Sequence, residues 1–179
     1  MATIDVYVID DSRFDLTMLL DSALTWNDVG IQNVKDMVNT LVGLCQGGDS
    51  LGHLTIVGHG NSTGQYIGSD FVTLQSLPAF RPDLGRMTRL FARGAGSGSR
   101  HVTMGGCRQG RNSGLLLALS NIWNVPVSGY TALQRPGIPG YEGGRTTCYI
   151  TCTRQGRTTA DSVDEIQLRV MNWARRLMQ

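Results

Sequence analysis

Apolar positions along this chain switch between a period of two and a period near 3.6. TIDVYVID alternates and is β-branched, which predicts a strand over residues 3–9, and Asp10, Asp11 and Ser12 then offer helix caps. Leu16, Leu19, Leu20, Ala23 and Leu24 recur at helical spacing. Ile31, Val34, Val38, Leu41, Val42 and Cys45 repeat that spacing in a second helix, which stops at Gly47-Gly48. HLTIVG (53–58) is a short apolar run bounded by glycine, the pattern of a strand buried on both faces. QYIGSDFVTL (65–74) predicts a small hairpin, residues 83–93 a helix carrying Met87, Leu90 and Phe91, and 94–99 a flexible connector. RHVTMG (100–105) is a further buried strand, NSGLLLALSNIWN (112–124) a strongly apolar helix and PVSGYT (126–131) another strand. LQRPGIPGYEGGR (133–145) reads as a long loop and TTCYITCT (146–153) as a fifth strand. A Ser162-x-x-Glu165 capping box then opens a final amphipathic helix, with Val163, Ile166, Val170, Trp173 and Leu177 inward.

Strands that alternate with helices imply a mainly parallel central sheet with helices on both faces, a three-layer α/β domain with right-handed crossovers. Residues 1–179 fit a single domain large enough to bury a full core, and no internal repeat divides them.

Charge adds an asymmetry. The net charge is only +2, yet residues 1–80 hold two basic and nine acidic side chains while 81–179 hold fourteen and five, the fourteen all arginine. Arginine favours planar recognition of carboxylate or phosphate. These arginines are scattered, with few aromatics and no nucleic-acid-binding motif, so nucleic acid is not an expected partner. No run of about 18 apolar residues predicts a membrane span, and MATIDVYVIDDSR lacks the basic and apolar regions of a signal peptide, so a soluble chain is expected.

Four cysteines, Cys45, Cys107, Cys148 and Cys152, do not form a disulfide framework in a domain of this size. Within one strand Cys148 and Cys152 would stand roughly 13 Å apart at about 3.3 Å per residue, beyond disulfide reach. No CxxC or HxxxH supplies the ligands of a metal site, so no metal or other cofactor is expected, and Cys45, Cys148 and Cys152 read as small core residues.

Ligands of such a sheet bind beyond the carboxyl ends of its strands, where His59 and Cys107 both fall. Each follows a short apolar run, each is flanked by glycine, and 48 residues separate them, enough for one strand–helix excursion that returns the chain alongside itself. A thiol is mostly protonated near neutral pH and needs a base, which His59 supplies. The backbone amides of Gly60 and Cys107 are candidate oxyanion donors, and a helix following Cys107 would favour thiolate through its dipole. His53 and His101 stand at the amino ends of the same two runs and read as bystanders.

LTIVGHG followed by VTMGGC resembles the signature of the caspase-like clan of cysteine peptidases, which includes caspases, gingipains and clostripain. The His-to-Cys spacing matches the caspase pattern, whereas the two residues before Cys107 differ from it. The chain is more similar to the autoprocessing cysteine protease domains of large bacterial toxins and to a related uncharacterised domain at the head of bacterial adhesins. VYVIDDSRFD, GQYIGSDFVTLQSL and GGCRQG carry that likeness, which spans roughly residues 4–132.

The resemblance implies a caspase-like fold and a cysteine endopeptidase acting on a peptide or protein substrate, with autoprocessing as the family's manner of action. It implies that Asp10, or its neighbour Asp11, orients His59. It implies a substrate pocket beside the strand after the cysteine, in the region of Ser128, Tyr130 and Arg135, suited to an acidic substrate residue. It places the chain in the bacterial cytoplasm or within a secreted bacterial protein that delivers it. The toxin domains respond to inositol hexakisphosphate through lysines, and this chain has one lysine, leaving its arginines as the candidate polyanion site. Two other expectations stay open: a non-catalytic binding module with a silent dyad, and a polyanion-responsive switch that orders the 133–145 loop.

Overall fold

Thr3–Asp10 forms β1 and Asp28–Ile31 forms β2, followed by helix α1 (Val34–Leu44) and strand β3 (Ser50–Val57). The hairpin β4 (Gly64–Ile67) and β5 (Asp70–Thr73) leads into α2 (Leu77–Arg86), which continues as a 3₁₀ turn over Met87–Arg89. Then come β6 (His101–Met104), a 3₁₀ turn (Gln109–Arg111), α3 (Ser113–Trp123), β7 (Val127–Tyr130), the two-residue strands β8 (Tyr141–Glu142) and β9 (Arg145–Thr146), β10 (Tyr149–Thr153) and β11 (Gly156–Ala160). This computed structural model describes residues 2–11, 28–91, 100–131, 141–142, 145–146, 149–153 and 156–160.

The central sheet has the order β11-β10-β7-β6-β3-β1-β2. Neighbours from β2 through β7 are parallel, and β10 and β11 close the other edge antiparallel. The molecule is therefore α/β with a mostly parallel sheet, as the alternating periods predict.

One sheet face is apolar. Val6, Val8, Leu54, Ile56, Val102, Met104, Val127 and Cys152 join Val34, Met37, Val38 and Leu41 of α1 and Leu115, Leu116, Leu119 and Trp123 of α3 in one core. Each such side chain taken fully out of water contributes about 1.5–3 kcal/mol. The other face carries a row of polar side chains in register, Tyr7, Thr55, Thr103, Ser128 and Thr151 on five adjacent strands. Thr55, Thr103 and Ser128 are buried there, so this face too is shielded from water although its side chains are hydroxyls. The segments expected to form further helices, 16–24 and 163–177, lie outside the described residues, as does the capping box at Ser162.

Local chemistry explains the boundaries. Asn33 caps α1, its Oδ1 accepting from the Asp36 amide at 2.9 Å. The hairpin docks on that helix start, because the Val34 amide donates to Asp70 Oδ2 at 3.0 Å and the Ser69 amide to the Gln32 carbonyl at 2.7 Å. Trp123 Nε1 donates to the Leu84 carbonyl at 3.1 Å and ties α3 to α2.

Two departures from expectation have simple causes. β2 is not legible in DVGI because an edge strand with one buried side chain, Ile31, leaves almost no alternation to read. α2 starts at Leu77, ahead of the predicted 83, because Pro78 sits in the first turn, where its missing N–H has no acceptor to lose. Pro82 is then accommodated inside the helix at the loss of one backbone hydrogen bond. Cys45 and Cys152 are buried free thiols, matching their reading as core residues, and Cys148 lies outside the described residues.

Candidate active site

The pairing of β3 with β6 places the two candidate catalytic residues. His53 is level with His101 and Ile56 with Met104, and the Gly105 amide extends the contact to the Ile56 carbonyl at 2.8 Å. His59 and Cys107 each stand three residues beyond the Ile56–Met104 pair, at the carboxyl ends of adjacent parallel strands. The two turns that carry them are in contact. A Cβ on Gly60 would lie 3.3 Å from the Gly106 Cα and 2.7 Å from Gln109 Nε2, so any larger residue there would displace Gln109 or part the two turns.

On the histidine side, the Tyr66 amide donates to the His59 carbonyl at 2.8 Å and the Asn61 amide to the Gly64 carbonyl at 2.9 Å. These bonds make Gly60 and Gln65 a non-hydrogen-bonded antiparallel pair, which turns the Gly60 N–H away from β4. Asn61 Oδ1 closes the intervening turn by accepting from the Thr63 amide and hydroxyl, both at 2.7 Å. His59 itself is exposed.

On the cysteine side, Cys107 and Arg108 are the central residues of a turn closed by the Gln109 amide on the Gly106 carbonyl at 3.4 Å. Arg108 has φ 58°, a left-handed conformation that costs a side-chain-bearing residue about 1–2 kcal/mol. Strain of this kind concentrates at functional sites. Cys107 is partly exposed. The expected helix-dipole effect on it is weaker than predicted, since a 3₁₀ turn intervenes and α3 begins only at Ser113. The dipole's influence fades beyond the first turn.

Asp10 ends β1 and is fully buried. Ile9 is level with Val57, so Asp10 is level with the Gly58 that precedes His59, on the adjacent strand. Asp11 is exposed, and its carboxylate lies over Gly30 of β2. Of the two acids, Asp10 therefore occupies the strand end beside the histidine turn.

The candidate substrate residues divide. Tyr130 is buried at the carboxyl end of β7, on the correct edge of the sheet. Ser128 is fully buried further back along the strand, with its Oγ 2.6 Å from His101 Nε2 and 2.7 Å from Thr151 Oγ1. Its hydroxyl is engaged within the sheet rather than presented to a cleft. Arg135 lies outside the described residues. His53 lies inside β3 and His101 opens β6, both away from the carboxyl ends of the strands, with His53 Nε2 2.8 Å from Thr103 Oγ1. Their rings meet edge to face at 5.3 Å, and burial, then the charge of His53, pushes His101 down to about 4. Among the described residues no group of three or more His, Cys, Asp or Glu side chains is arranged to hold a metal ion.

Sequence reading overlooks two residues of this site, Gln65 and Gln109, both fully buried. Gln65 Oε1 accepts from the Gly106 amide at 2.9 Å, and its Nε2 donates to the Ile56 carbonyl at 2.7 Å. Gln109 Nε2 donates to the carbonyls of Asn61 at 2.7 Å and Gly64 at 2.6 Å. Glutamine is ordinarily a surface residue, so neither GQYIG nor CRQG signals burial. Compared with known proteins, the chain matches no family model, no curated sequence and no solved structure.

Proposed function

We propose that this chain is a caspase-like cysteine endopeptidase. Cys107 attacks the scissile carbonyl carbon while His59 takes the thiol proton, and the amides of Gly60 and Cys107 hold the oxyanion. Collapse of the tetrahedral intermediate transfers that proton from His59 to the leaving amine and leaves an acyl-enzyme at Cys107. Water, deprotonated by His59, then releases the acid. Asp10 orients the imidazole.

The observation that carries this reading is the register of β3 and β6. It sets the His59-Gly60 and Gly106-Cys107 turns side by side at one edge of a parallel sheet, where α/β proteins place their chemistry. The Gly60 amide turned away from its hairpin partner supports an oxyanion role, and the strand order with an antiparallel edge is compatible with the caspase-like architecture.

The test is site-resolved labelling with a thiol-directed probe, with and without His59→Ala. Cys107 is expected to react faster than the buried Cys45 and Cys152 and faster than an ordinary exposed thiol, and His59→Ala is expected to remove that advantage. Peptide cleavage should fall on the order of 10³-fold or more in Cys107→Ala. A Cys107 that reacts no faster than an ordinary thiol in either protein overturns the peptidase reading in favour of a non-catalytic module.

A further inference from the structure

Burying a primary amide is costly unless its hydrogen bonds are made, and an aliphatic side chain would fill the same volume without that requirement. Two glutamines are nevertheless fully buried between the histidine and cysteine turns. The bonds of their side-chain amides end on main-chain groups of β3, β4 and the site turns, and they run in opposite directions. Gln65, from the hairpin that holds the His59 carbonyl, reaches across to the amide of Gly106, the residue before Cys107. Gln109, two residues after Cys107, reaches back to the carbonyls of Asn61 and Gly64 on either side of the turn after His59. Gln65 also anchors itself on the Ile56 carbonyl at the end of β3. Asn112 adds a link in the second direction, its Nδ2 donating to the Thr63 carbonyl at 2.8 Å.

From this crossing pattern we infer that Gln65 and Gln109 are positioning residues, a reciprocal clamp that sets the separation of His59 and Cys107. The two turns are 41 to 48 residues apart along the chain, so their mutual position depends on contacts of this kind and not on local geometry. Each glutamine is packed against the glycine of the opposite turn. A Cβ on Gly106 would stand 2.6 Å from Gln65 Oε1, and one on Gly60 would stand 2.7 Å from Gln109 Nε2. Glycine and glutamine thus fit as matched pairs, and the clamp rests on the peptidase reading of the dyad it positions.

The experiment is the pH profile of Cys107 alkylation by iodoacetamide, resolved by mass spectrometry. It compares the wild type with His59→Ala, Gln65→Met, Gln109→Met and Gln65→Glu, and takes Leu119→Ala as a destabilised control. Circular dichroism establishes that each is folded at each pH. Misplacement of reacting groups by about 1 Å costs on the order of 100-fold, so the methionine variants are expected to lose about 10- to 100-fold of the His59-dependent rate. Leu119→Ala should keep it. Gln65→Glu gives the sharper signature. Its protonated carboxyl reproduces both bonds, C=O accepting from Gly106 and O–H donating to Ile56, whereas the ionised form loses the donor. Burial raises the pKa of the introduced carboxyl, so its rate should match the wild type at low pH and fall away from it as that group ionises. Methionine variants that keep the His59-dependent rate, or a Gln65→Glu profile parallel to the wild type in folded protein, overturn the clamp alone. A wild type with no His59-dependent rate overturns the dyad and the clamp together.

Discussion

Ser128 Oγ and His101 Nε2 lie 2.6 Å apart inside the sheet, joining β7 to β6 on the face that carries the polar row. Thr151 on β10 extends the chain of contacts at 2.7 Å, and the His53 ring meets the His101 ring edge to face. Imidazole in such a place is comfortable only when neutral.

Acid should therefore weaken this protein through His101. Its pKa is about 4 in the folded state, against about 6.5 when unfolded, so the unfolded chain binds more protons between those values. Stability is full above about pH 6.5 and declines as pH falls toward 4, by up to roughly 3 kcal/mol from this group. Urea midpoints of the wild type and His101→Gln across that window check it. Carboxylates contribute equally to both proteins, so the gap between the curves should narrow with acid. Ser128→Ala, which removes one bond to that ring, should cost about 1–3 kcal/mol at neutral pH.

Asp10→Asn tests the third member of the proposed site. The fully buried Asp10 stands level with Gly58, which precedes His59, and an amide there keeps the volume while removing the charge. If Asp10 orients His59, kcat for peptide cleavage should drop by on the order of 10²- to 10⁴-fold with KM nearly unchanged. A proportionate rise in KM at constant kcat would instead assign Asp10 to substrate binding.

Glycine substitutions separate packing at the site from packing elsewhere. Gly106→Ala drives a methyl to within 2.6–2.9 Å of three Gln65 side-chain atoms, which should cost about 1–3 kcal/mol and abolish cleavage. Gly85→Ala in α2 meets nothing within 4 Å and should stabilise the protein by about 0.5–1 kcal/mol with activity intact. Thermal melts paired with activity assays distinguish the two.

Much of the architecture was legible in residue order because hydrophobic period is a local property. LTIV and VTM announced strands, LLLALSNIW announced a helix, and the glycines after each apolar run marked where the chain turns. Those same local patterns were enough to single out His59 and Cys107 as residues at strand ends. Their adjacency was not local. It follows from the pairing of β3 with β6, which the intervening hairpin and α2 permit but no stretch of letters specifies. Burial of polar side chains was equally hidden, since Gln65, Gln109, Ser128 and His101 have compositions that belong at a surface. They go inside with hydrogen-bond partners distant along the chain, Gln109 through its Nε2 alone, and only the assembled sheet brings those partners within reach.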